Sequence, residues 1–323
     1  MRRHTLALFG HLAAALPAAA AAGFVRVPRL GPTLVAFVAL VAAPALRAQP
    51  GAALRATFDP GGRCAVDDYQ RFWYQSGTPF CRVRRLVLTR PRGALVVDAS
   101  GSSGAISVRG AVAGPNDKGR DSVHAEAVVV TWAGTEAEAE RLAGLVRVDT
   151  AGGVLRATGF PERTEGPDRR YWSVSYRVVV PRRTDLDLRA YNSGIDVAEV
   201  IGRLRLDTHN GGVTLKGVGG DVVAHTNNGG VRATLTGRAW DAGGLPDAGL
   251  ELTANNGGAV LRIPDGYAAH VRLGVNNGAI TTDFPVTVRG RVNPRELDLA
   301  LGGGGALLRV FSNNGGARLA RAE

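Results

Sequence analysis

The sequence predicts an all-β protein built as a single-stranded β-solenoid, a parallel β-helix of about 18 residues per coil, with an N-terminal β cap carrying one short helix. Three observations lead there. A turn built on asparagine and glycine recurs: Asn192, Asn210 and Asn228 stand 18 residues apart (210 − 192 = 18, 228 − 210 = 18), and Asn256, Asn277 and Asn314 follow. Apolar and polar residues alternate on both sides of each turn. The composition is turn-rich, with 44 glycines and only 6% aromatic residues. A repeat of this length cannot bury its own apolar side, so neighbouring repeats must stack.

The alternation fixes the strands. Six residues before the asparagine stand Leu186, Leu204, Val222, Leu250, Val271 and Leu308. Four before it stand Leu188, Leu206, Ala224, Leu252, Leu273 and Val310. Three after it the apolar character returns with Ile195, Val213, Val231, Ala259, Ile280 and Ala317. Period two on each side means two short strands per repeat, each with one buried face. Val200 and Val218, eight after their asparagines, suggest a third side and a triangular coil. In such a stack the asparagines Asn192, Asn210, Asn228, Asn256, Asn277 and Asn314 form a structural ladder of amides. The glycines are expected to supply positive φ.

Outward charges support the register. Asp185, Arg203 and Asp221 alternate seven residues before their asparagines; Asp187 is expected to face Arg205, and Glu251 to face Arg272. Each such cross-strand pair contributes roughly 0.2–1 kcal/mol. Carboxylates interleaved with arginines differ from the carboxylate cleft of a glycan-cleaving β-helix. The irregular intervals have simple readings. The excess in 237–249, with Trp240 and Pro246, is a protruding loop, and Pro264-Asp265-Gly266-Tyr267 is an enlarged turn. The interval from Asn277 to Asn314 is close to two coils, with a degenerate turn near Gly302 to Gly305.

In chain order, residues 1–48 read as a cleaved targeting segment. Leu30 to Leu46 is an apolar run behind Arg26 and Arg29, and Ala45-Leu46-Arg47-Ala48 precedes a cleavage site at Gln49. A second apolar run, Leu6 to Val25, suggests a true start near Val25 or Val27. The mature chain is expected to hold no stable membrane span. Residues 49–94 form a lead segment with Cys64 and Cys81, paired as a disulfide in an exported chain. Phe72-Trp73-Tyr74 is expected to pack under that loop. Residues 95–181 form the β-rich cap, and 182–323 the solenoid repeats. Within the cap, Val123 to Trp132 is a strand. Thr135 and Glu138 make a capping box for a helix ending near Ala143. Trp172, Val174, Tyr176, Val178 and Val180 alternate along another strand.

The segments Trp172-Ser173-Val174-Ser175-Tyr176, Val180-Pro181-Arg182 and Asp185-Leu186-Asp187-Leu188, together with the Asn-Gly-Gly repeats, carry a resemblance. Over roughly residues 84–320 the chain resembles a bacterial family of unknown function labelled as adhesins, for which a β-solenoid is expected. The resemblance implies an exported envelope protein without an established enzymatic activity. The chain departs from the pattern at Asn192-Ser193-Gly194 and Asn277-Gly278-Ala279, where one glycine is replaced.

The net charge is +11, and five arginines without an acid lie in residues 1–48, leaving 11 − 5 = +6 for the rest. The excess reads first as codon bias toward arginine and second as affinity for an acidic polymer such as an envelope polysaccharide. No nucleic-acid motif is present, so the expected partner is a polysaccharide or a protein rather than nucleic acid. No Gly-x-Ser-x-Gly, Gly-Lys-Ser/Thr or His-Glu-x-x-His pattern occurs. Catalytic, cofactor and metal sites are therefore not expected. His209 and His225 fall in different columns and need not meet. The resulting reading is a non-catalytic exported protein of the periplasm or cell surface, adhesin-like or scaffolding. The alternative is a glycan-acting β-helix enzyme, for which Asp241 and Asp247 beside Trp240 are the candidate carboxylates.

Overall fold

The structure, a computed structural model, describes residues 77–111, 122–163, 165–166, 168–286 and 293–322, all within one compact unit spanning 48–323. The targeting segment, Cys64 and Phe72-Trp73-Tyr74 lie outside the described residues.

The chain enters through β1 (Thr78–Thr89), β2 (Leu95–Ala99) and β3 (Ile106–Gly110). β4 (Ser122–Ala133) leads into α1 (Glu136–Leu145), followed by β5 (Arg147–Asp149), β6 (Val154–Thr158) and β7 (Tyr171–Val180). The repeats then supply β8 (Leu186–Ala190), β9 (Ile195–Ala198), β10 (Ile201–Thr208), β11 (Val213–Lys216), β12 (Gly219–Asn228) and β13 (Val231–Thr234). Next come β14 (Gly249–Asn256), β15 (Ala259–Ile263), β16 (Ala269–Asn277) and β17 (Ile280–Thr282). The described chain closes with β18 (Glu296–Leu301), β19 (Leu307–Asn314) and β20 (Ala317–Arg321).

Among the described residues the fold is all-β with one α-helix, in two ten-stranded mixed sheets. Sheet one runs β1-β4-β7-β3-β9-β11-β13-β15-β20-β17, and sheet two runs β5-β6-β2-β8-β10-β12-β14-β19-β16-β18. The centres are parallel; the β1, β5 and β18 ends are antiparallel, and the β17 end is parallel. Both sheets have open edges and do not close on themselves. Among the described residues no third sheet forms. Val200 and Val218 are buried at the bends ahead of β10 and β12 instead of starting a side of their own.

Register follows the repeats. Leu204 lies opposite Leu186 and Val222, Leu206 opposite Leu188 and Ala224, and Val213 opposite Ile195 and Val231. The inward side chains of both sheets join in one apolar core. Each fully buried leucine or valine contributes roughly 1.5–3 kcal/mol, so stacking supplies what an isolated repeat lacks.

Chain order and layer order part company at both ends. β19 and β20 lie between β14/β15 and β16/β17, so Leu308 faces Leu250 on one side and Val271 on the other. The expected second coil between Asn277 and Asn314 is instead β18, antiparallel to β16 at the sheet edge. The other end shows the same device. β2 and β3 lie between β6/β7 and β8/β9.

Three local features complete the frame. The Thr135 hydroxyl accepts from the Glu138 amide at 3.3 Å, and α1 buries Ala139, Leu142 and Ala143. It is held against β1 and β4 by Arg84, which donates to the Ala143 carbonyl at 3.2 Å, and by Thr131, which donates to the Ala139 carbonyl at 2.7 Å. β7 is buried on both faces from Tyr171 to Tyr176, because a second apolar cluster of Cys81, Val128, Val130, Trp132 and Tyr171 lies on the outer side. The loop after β13 does not protrude as expected. Trp240 is buried and donates its indole N–H to the Gly220 carbonyl at 2.8 Å, which folds the loop down onto the sheet.

Candidate functional site

The turn asparagines stand in one row. Asn210 donates its side-chain amide to the Asn192 carboxamide oxygen at 2.8 Å, and Asn228 donates to Asn210 at 2.8 Å. Asn256 donates to Asn228, Asn314 to Asn256, and Asn277 to Asn314, each at 2.9 Å. Every bond points the same way, and the row ends where Asn192 reaches the Ser103 hydroxyl at 3.4 Å. The side chains are exposed, so each amide keeps a second N–H for solvent or a ligand.

A second row runs beside the first. Asn255 donates to Asn227 at 3.1 Å and Asn276 to Asn313 at 2.7 Å. His209 continues it, 3.4 Å from Asn227, and stacks on Tyr191 with ring centroids 4.8 Å apart. His225 lies one column over, 2.7 Å from Asp207 and 3.4 Å from Asn255. Both histidines thus touch the same chain of amides. The signal for this row was the doubled asparagine, Asn227-Asn228, Asn255-Asn256, Asn276-Asn277 and Asn313-Asn314.

The glycines after the row serve close approach, not left-handed backbone. None of Gly211, Gly229, Gly257, Gly278 or Gly315 has positive φ. A β-carbon at any of them would fall 1.8–2.3 Å from a carbonyl oxygen of the neighbouring layer. At the next position, a β-carbon on Gly212, Gly230 or Gly316 would lie 3.2 Å from a carbonyl on the opposite side. This explains both departures from the pattern. Ser193 stands next to the wider turn between β2 and β3, where its hydroxyl donates to the Ser103 carbonyl at 2.9 Å. Ala279 belongs to the last layer, beyond which no further repeat crowds it.

The outer face of sheet two is a lattice of ion pairs: Asp98 with Arg156 at 2.8 Å, Asp185 with Arg203 at 3.8 Å, and Arg205 with Asp221 at 2.5 Å. Asp187 lies opposite Arg205 as expected, but its ion pair is with Arg189 on its own strand, at 2.7 Å. Glu251 reaches Arg309 at 3.9 Å instead of Arg272, because β19 intervenes, and Arg272 takes Asp298 at 2.9 Å. Burial pushes the Asp98 carboxyl up, but the Ser100 hydroxyl and amide and the Arg156 guanidinium outweigh it and hold it below its ordinary range. Burial raises Asp196 against a hydrogen bond from Thr214. Burial, helped by the Asp241 charge, pushes the Tyr267 phenol up to about 12.

Of the remaining sequence candidates, Cys81 is buried on β1. Asp241 is engaged in its own turn, accepting from the Gly243 amide at 2.9 Å, and Asp247 occupies a turn with φ 55°. Among the described residues no group of three or more His, Cys, Asp or Glu side chains is placed to hold a metal ion. None of their helices is long and apolar enough to cross a membrane.

No family model and no curated protein matches the chain. Three solved structures are similar to it in outline. A candidate cell adhesion protein of Clostridium sporogenes has 9% identity and a TM-score of 0.38, covering 75% of this chain and all of its own. A candidate adhesin of Bacteroides fragilis has 9% identity and a TM-score of 0.31, covering 75% of this chain and 97% of its own. A candidate lipid binding protein of Parabacteroides distasonis has 8% identity and a TM-score of 0.30, with the same shares covered.

Proposed function

We propose that the chain is a non-catalytic, exported envelope protein, adhesin-like or scaffolding, whose repeats form a single-stranded β-solenoid of about 18 residues per coil. The parallel register of the repeat strands supports the solenoid. The targeting segment and the pairing of Cys64 with Cys81 are part of the same reading, as is the division into lead segment, cap and repeats.

One observation carries the functional part. Asp98, Asp187, Asp221 and Asp298 on the outer face of sheet two are engaged by arginines, Asp207 is engaged by His225, and the turn amides are engaged by one another. Groups held this way form a rigid polar surface with little left to act as acid or base, which suits binding. The test is capture from solubilised envelope polysaccharides and proteins by the purified chain, alongside an assay for new reducing ends. Capture without cleavage is expected. A polysaccharide-cleaving activity abolished by Asp241→Ala would overturn this reading in favour of the glycan-acting alternative.

A further inference from the structure

The two outer faces treat charge differently. Every arginine on β6, β8, β10, β16 and β19 of sheet two has a carboxylate partner. On sheet one, Lys216 of β11, Arg232 of β13 and Arg262 of β15 have no ion pair with any described residue. The inward residues of these strands, Val213, Leu215, Val231, Ala233, Ala259 and Leu261, are buried, so the three cations stand on the outer face.

Register places them in a staggered row. Lys216 lies opposite Thr234, and Thr234 lies opposite Arg262. Arg232 lies opposite Thr214 and Val260, one outward position along. Three consecutive strands, about 4.8 Å apart, therefore each present one cation, with threonine hydroxyls between. The Arg232 Nε is buried without a hydrogen-bond partner. Asp196 is two strands from Arg232 and accepts a bond from Thr214, and Glu199, beside Gly217, pairs with Arg182 at 3.5 Å.

We propose that the outer face of β11, β13 and β15 binds an acidic polysaccharide, a linear polymer with carboxylates on successive sugars. The inference rests on the binding reading above and names the partner class. Unpaired like charges in a row gain from an anion that lies along them. A polymer crossing the strands meets one cation per strand, and its hydroxyls meet Thr214 and Thr234. Single-stranded nucleic acid offers a similar charge row but is held by stacking on aromatic rings. No outward position of β11, β13 or β15 is aromatic.

The test uses the full chain and polygalacturonate, with dextran as the neutral polymer and oligothymidylate as the nucleic acid. Calorimetric titration should show polygalacturonate bound, weakening as salt rises, and dextran ignored. The combined variant Lys216→Gln, Arg232→Gln, Arg262→Gln should lose at least about tenfold in affinity while keeping its melting temperature. Arg141→Gln on α1, away from both outer faces, should bind unchanged. If the combined variant fails to fold, Lys216→Glu alone, on an exposed side chain, should still weaken binding. Unaltered affinity in the variant, no binding of polygalacturonate, or tighter binding of oligothymidylate overturns the inference. A chain that ignores polygalacturonate but captures a neutral glycan or a protein leaves the binding reading intact. Cleavage of the polymer overturns the non-catalytic reading, and the face is still judged by the combined variant.

Discussion

A β-carbon on Gly229 would stand 2.1 Å from the carbonyl oxygen of Gly211 in the adjoining layer. That oxygen belongs to backbone and cannot step aside without moving its sheet. Gly229→Ala should therefore destabilise by about 3 kcal/mol or more, whereas Gly230→Ala, with 3.2 Å to the Gly258 oxygen, should cost about 1 kcal/mol or less. Urea denaturation of the two variants checks the order. Equal losses would mean that backbone contact is not what selects glycine at the first position.

Deleting residues 307–323 removes a layer from the interior of both sheets, because β14 and β16 meet only through β19. Hydrogen exchange should show protection lost from β14, β15, β16 and β17 together, while β10 and β12 stay protected. If β16 kept its protection in the truncated chain, the inserted layer would not be what joins those strands.

Trp240 anchors the long loop through its buried ring and its bond to Gly220. Trp240→Ala should destabilise by about 3 kcal/mol and open the loop to proteolysis between Gly237 and Gly249. A variant with wild-type stability and resistance would show the loop to be independent of that anchor.

Asp196 yields a pH prediction. Its carboxyl is raised above the ordinary 3.8, first by burial, with the Thr214 bond opposing. The protonated form is thus favoured in the folded chain. Its contribution is fully present below the ordinary value and lost as pH rises through the raised one. Asp196→Asn should raise the melting temperature modestly at pH 7, with the gain shrinking toward zero as pH falls below 3.8. A gain that persists unchanged in acid would point to some other cause.

Much of this was legible because it is local. Alternation at Leu204, Leu206, Val213 and Leu215 names the buried faces without reference to the rest of the chain. The capping residues Thr135 and Glu138 mark the helix start in the same way. Layer order was not legible. Leu297, Leu299 and Leu301 alternate as a parallel strand would, and nothing local says that β18 runs antiparallel. Once β19 is inserted, Glu251 finds Arg309 and loses Arg272 as a neighbour. The cations of sheet one that pair with no described residue were hidden for a related reason. A count of arginines against acids does not say which sheet the acids have joined.

At each end of the stack a strand pair sits inside the outermost layer: β2 and β3 within β6 and β7, and β19 and β20 within β16 and β17. A lineage can therefore lengthen or shorten such a stack by duplicating or losing units in its middle, as between Asn192 and Asn256, whereas a copy added directly after β20 would follow a strand with no open edge. The stretch that carries β19 and β20 must also find a slot between strands made before it, so its docking is an act of closure rather than extension.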